Sequence, residues 1–190
     1  QACHYWPSRP IDHRFHAQCI KASGELLMPP VKQQPCPFAP LIFDDEEAIG
    51  ELSSVVLQLH DALSTNGRCF TTGITEEKAA ATRGRIESVL LNAFCTIFGQ
   101  SPFERFLDIF DQASYLAEHM AKDHIFEDGN KRTSLVFALS ILALRNVPVV
   151  FLDNPDPKSN PYYAWIQDLV SGKRTREELA QELRSNHISK

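Results

Sequence analysis

A run of nine apolar residues and one serine, residues 135–144, stands one residue after His-Ile-Phe-Glu-Asp-Gly-Asn-Lys-Arg-Thr at 124–133. An element that is apolar on every side must lie inside whatever the chain builds. The polar stretch ahead of it is therefore a loop feeding a buried helix. A helix start presents backbone N–H groups without intrahelical partners, together with the positive end of the aligned peptide dipoles, and so holds phosphate readily. Gly129 lets the backbone turn and come close to a ligand, and the N–H groups after it can form an anion-cupping nest. Lys131 and Arg132 put charge where phosphate oxygens would sit, and His124 stands where it could take a proton. These residues point to phosphate transfer.

The chain's 190 residues suffice for one domain with a real core plus an appendage. A net charge of -5 lacks the basic footprint of a nucleic-acid binder, so no direct nucleic-acid contact is expected. The apolar run stops at Arg145, well short of a bilayer span, and no membrane partner is expected. No charged start followed by an apolar stretch marks a secretory signal. The five cysteines (Cys3, Cys19, Cys36, Cys69 and Cys95) form an odd set without regular spacing. A disulfide framework is not expected, and a reducing, cytoplasmic compartment is the simpler reading.

Residues 1–43 differ from the rest. They hold seven of the chain's twelve prolines and show little sustained periodicity, which reads as an irregular N-terminal extension to a domain over 44–190. The spacing His13-x-x-His16-x-x-Cys19 could ligate zinc, but paired ligands are missing, and scattered polar residues in an irregular segment are the plainer account. From Asp44 onward the signals are helical. Asp44 and Asp45 cap a helix over 46–63, with Ile49, Leu52, Val56, Leu59 and Leu63 at helix spacing. A second helix is expected from Thr75 to about residue 98. Ser101-Pro-Phe-Glu104 starts a third, running to about residue 122 and burying Phe106, Ile109, Phe110, Ala113, Leu116, Ala117 and Met120. Further helices are expected over 130–146, 161–170 and 175–184, the last with a Thr175/Glu178 capping box. A short extended piece covers 147–151. The fold class is all-α.

Taken singly, a His-x-Phe pair, an aspartate before a helix and a Lys-Arg pair are ordinary structural features. Together, His124-x-Phe126-x-Asp128-Gly129-Asn130-Lys131-Arg132 resembles the signature of the Fic/Doc (Fido) family, and specifically its Doc toxin branch. The commoner Fic pattern is His-Pro-Phe-x-x-Gly-Asn-Gly-Arg-x-x-Arg. Here Ile125 replaces the proline, Lys131 the second glycine and Leu135 the last arginine, and lysine after asparagine is the Doc pattern. The order of elements over roughly 46–186, including a helix with Leu59-His-Asp61 near its end, is also similar to Doc.

The resemblance implies a Fido-type helical bundle with a short extended segment or flap. His124 would be the general base toward a target hydroxyl, and Asp128 would hold Mg²⁺. Backbone N–H groups around Gly129, Asn130 and Lys131 would cup the phosphates of ATP, with the Asn130 side chain bracing the loop. Arg132 would offset charge on the transferred group, and Phe126 would anchor the loop in the core. With Lys131 in place of glycine, the Doc-like expectation is a kinase that moves the γ-phosphate. The alternative is adenylylation, or transfer of another nucleotide-linked group. A silent Fido binding scaffold is the non-enzymatic alternative.

By the same resemblance the target is a translation factor such as elongation factor Tu, and an antitoxin chain restrains a bacterial, cytoplasmic toxin. The extension leaves a secreted or host-directed effector as the other localisation. Residues 66–73 occupy the place of the family's target-binding flap, with a plain interhelical loop as the equal alternative. Thr72-x-x-x-Glu76 fits the family's inhibitory pattern only loosely, because Glu77 stands where a small residue belongs. His119 reads as a surface or supporting residue, not a metal ligand.

Overall fold

The computed structural model describes residues 38–43, 45–66, 76–147, 149 and 161–187. Seven helices follow one another among these residues: α1 (Glu46–Asn66), α2 (Glu76–Phe94), α3 (Pro102–Arg105), α4 (Ile109–Lys122), α5 (Asn130–Leu144), α6 (Pro161–Ser171) and α7 (Arg176–Ser185). Beside them stand two isolated bridges, Ile97 with Gln100 and Val149 with His187. The described residues are therefore all-α, as the hydrophobic periodicity requires. The candidate zinc ligands in 1–37, the flap position 67–73 and Thr72 lie outside them.

Helix α4 is the centre. It packs against α2, α5, α6 and α7, while α1 lies on α2 and α5. All seven residues expected to be buried around α4, from Phe106 to Met120, are buried. So are Ile49, Leu52, Val56 and Leu59 of α1, with Leu63 partly covered. The caps follow the chemistry of the sequence. Asp45 Oδ1 accepts the Ala48 N–H at 2.6 Å, and at α7 the Thr175/Glu178 box closes with bonds of 3.2 and 2.8 Å. Helix α5 ends at Leu144, two residues short of the expected 146, and the chain turns away at Asn146, whose φ of 55° is a left-handed conformation that asparagine tolerates.

Two boundaries differ from expectation. The helix expected over 101–122 is broken in two. Glu104 accepts the Ser101 N–H at 2.7 Å, but α3 lasts one turn before the chain extends at Phe106 (φ −120°, ψ 135°). Asp108 then starts α4 by accepting the Asp111 N–H at 2.9 Å. Arg184 of α7 holds the same carboxylate through bonds of 2.5 and 2.9 Å, so a contact 76 residues away fixes the restart. Likewise α2 stops at Phe94 rather than near residue 98, because Ile97 and Gln100 exchange backbone bonds of 3.0 and 2.9 Å around Phe98 and Gly99, both at positive φ.

The last residues of the segment read as an extension, 38–43, pack onto the domain. Leu41 and Phe43 are buried, and the Phe38 carbonyl accepts the Ile109 N–H at 2.7 Å. The fully buried Gln112 of α4 secures this strap. Its Oε1 accepts the Leu41 N–H at 2.7 Å, and its Nε2 donates to the carbonyls of Leu41 and Ala93, each at 2.8 Å. A buried backbone group without a partner costs far more than the net worth of one bond. Among the described residues no helix is long and apolar enough to cross a membrane.

Replacing Gln112 by leucine keeps the volume roughly but strands three buried backbone groups. Urea denaturation should show a loss of at least about 2 kcal/mol. A loss under about 0.5 kcal/mol would mean that the strap does not depend on this side chain.

Candidate active site

Helix α4 ends at Asp123, whose N–H donates to the His119 carbonyl at 3.0 Å, and the chain then turns sharply. His124 is exposed and sits at φ 48°, a left-handed backbone that costs a non-glycine residue about 1–2 kcal/mol. Such strain gathers at functional sites, where the surroundings enforce it. Ile125 and Phe126 turn into the core at 3% and 5% exposure, while Glu127 and Asp128 return to the surface. The two buried residues are the anchor, and they leave the histidine and the aspartate outside.

The loop is tied at four points. Asn130 binds both backbone groups of Phe126: its Oδ1 accepts the N–H at 2.8 Å and its Nδ2 donates to the C=O at 2.6 Å. Arg85 of α2 donates to the His124 carbonyl at 3.0 Å, and Lys78, two turns earlier on the same helix, pairs with Glu127. His60 of α1 lies against the Asp128 carbonyl, with Nε2 2.9 Å from the oxygen. The sequence identified Asn130 as a brace but missed Lys78, Arg85 and His60. His60 did carry a signal, since it falls four residues after Val56 and so joins the apolar face of α1.

Gly129 takes φ 78° and serves as the N-cap of α5 without a side chain to cap it. The first intrahelical bond of α5 is from the Thr133 N–H to the Gly129 carbonyl at 2.9 Å. The amides of Asn130, Lys131 and Arg132 thus precede the hydrogen-bond ladder, in the position that suits an anion. The Gly129 N–H donates to Asp128 Oδ1 at 2.6 Å, which folds the carboxylate over the helix start. Arg132 is half-buried in the first turn of α5. Lys131 is also half-buried, and its ammonium is held by Gln167 of α6. Its side chain therefore reaches toward α6. His119 pairs with Asp123 at 3.4 Å and lies on the Tyr115 ring.

Residues 49–142 match the model of the Fic/DOC family. That stretch is similar to Fic/Doc domains, runs from α1 through α5 and includes His60, both α2 cations and the whole 124–132 loop. Members of this family generally transfer nucleotide-linked groups. No curated protein and no solved structure gives a significant match to the chain. Helices α6 and α7, and with them Gln167, lie beyond the matched stretch.

Asn130→Ala should release the loop. Two half-buried backbone groups of Phe126 lose their partner, and stability should fall by about 1–3 kcal/mol in chemical denaturation. An unchanged midpoint would show that the anchoring of Phe126 alone holds the turn.

Proposed function

We propose that this chain is a Doc-like protein phosphotransferase that moves the γ-phosphate of ATP to a Ser or Thr hydroxyl of a target protein. By its similarity to Doc, the target is a translation factor such as elongation factor Tu, and the context is a bacterial toxin restrained by an antitoxin. The observation that carries the reading is the pairing of an exposed His124, in a strained left-handed backbone, with an α5 start that has no side-chain cap. A proton acceptor and a phosphate-holding helix end six residues apart are what phosphoryl transfer needs.

His124 takes the proton of the target hydroxyl as its oxygen bonds to the γ-phosphorus. The bond from that phosphorus to the bridging oxygen breaks, and ADP leaves. The amides at the start of α5 and the guanidinium of Arg132 offset charge as it builds on the transferred group, usually the largest single catalytic contribution. Asp128 fits a magnesium ion. It is an exposed carboxylate at the helix start, and no group of three or more His, Cys, Asp or Glu residues among those described forms a complete protein cage. Mg²⁺ suits a single carboxylate, because phosphate oxygens and water supply its other ligands. When bound, it would draw charge from the phosphates.

AMP transfer is the second reading, and one observation favours it. The side chain that distinguishes the Doc pattern from the commoner Fic pattern, Lys131, is held by Gln167 and not by the loop. A silent scaffold is the third.

Incubation of the protein and candidate targets with ATP labelled at the α or the γ position separates these readings. The kinase reading expects label from γ only, whereas label from α only sinks it. His124→Ala should cut transfer by about 10²–10⁴-fold while the protein melts as wild type does. Undiminished toxicity in that variant would favour binding over chemistry.

A further inference from the structure

We infer that His60, outside the signature, is a positioning residue that sets the orientation of the Asp128–Gly129 peptide and so aims the phosphate-binding end of the loop. This rests on the reading of residues 124–132 as the transfer site.

His60 is only 6% exposed, and a buried imidazole needs partners. Its ring lies flat on Phe126, with centroids 3.8 Å apart and planes 10° from parallel. Its Nε2 is 2.9 Å from the Asp128 carbonyl oxygen. A carbonyl can only accept, so Nε2 must carry the hydrogen. The ring thus rests on one loop residue and donates to another two positions on.

Gly129 completes the contact. A Cβ built there would sit 3.2 Å from His60 Nε2 and 3.4 Å from its Cδ2. Positive φ favours glycine, and a side chain there would also have to push the imidazole back by a few tenths of an ångström. The Asp128–Gly129 peptide is a planar trans unit, so its C=O and N–H point in opposite directions. Drawing the carbonyl toward α1 turns the Gly129 N–H to the other side, where it meets Asp128 Oδ1 at 2.6 Å. One bond from α1 thereby fixes the amide heading the cradle and the carboxylate assigned to magnesium. His60 touches neither phosphate nor metal in this account; it acts through the peptide.

Two substitutions in the full chain divide its contributions. His60→Phe keeps a flat ring on Phe126 but has no hydrogen to donate. His60→Gln gives up the ring but carries an N–H at the reach of Nε2. Two readouts are hydrogen exchange of the segment containing residues 124–132 and affinity for Mg²⁺·ATP by titration calorimetry. His60→Phe should speed exchange in that segment about ten-fold, leave α4 and α7 unchanged, and weaken Mg²⁺·ATP by about ten-fold. His60→Gln should restore both to within about three-fold of wild type.

A His60→Phe protein with wild-type exchange and affinity overturns the inference, as does a His60→Gln protein as loose as His60→Phe, because packing alone would then be at work. If the wild-type protein itself does not bind Mg²⁺·ATP, the transfer reading fails. The exchange comparison still decides whether His60 holds the peptide.

Discussion

The double hydrogen bond from the Asn130 side chain to the backbone of Phe126 is the constraint on which the site depends. It joins the first residue of α5 to a residue buried four positions earlier and closes the loop on itself. Ile125 and Phe126 are fixed in the core, while His124 on one side and Glu127 and Asp128 on the other are exposed. His124 stands just ahead of this closure in a left-handed backbone, and Arg85 holds its carbonyl.

Helices from outside the loop then fix what its closure leaves free. From α1, His60 reaches a carbonyl in the loop; from α2, Arg85 and Lys78 reach another carbonyl and a carboxylate; from α6, Gln167 takes the Lys131 ammonium. These tethers differ in strength. The Lys78–Glu127 pair is more than half exposed, and solvent screens it. The His60 contact is part-buried, and an unmade bond on its buried ring is expensive. The loop is therefore held more firmly at Asp128–Gly129 than at Glu127. In the proposed transfer, firmness at the helix start matters most, because preorganised donors need no rearrangement as charge develops.

Much of the fold was legible because helices advertise themselves by period. The apolar positions of α1 and the buried set around α4 are spaced by local geometry, and burial simply follows the stripe. The capping chemistry at Asp45 and Thr175 was equally local. The break between α3 and α4 was not legible. The pattern from Ser101 onward suits one helix, and only Arg184, 76 residues from Asp108, makes the restart at Asp108 worthwhile. The strap 38–43 was hidden for a related reason. Its irregular pattern around Pro40 gave no period, and the glutamine that secures it lies 71 residues beyond Leu41.

The same division runs through the site. By itself the sequence determined the order of residues: a histidine, a carboxylate, a turn-permitting glycine, an asparagine and two cations, set just before a helix whose apolar content sends it inside. Those features follow from residue type and spacing over a dozen positions. Only the tertiary structure decided which way each group faces. The peptide plane at Asp128–Gly129 and the direction of the Lys131 side chain are set by residues from other helices. A hydrogen bond reports on distance in space, and spacing along the chain carries that information only within a helical turn or two.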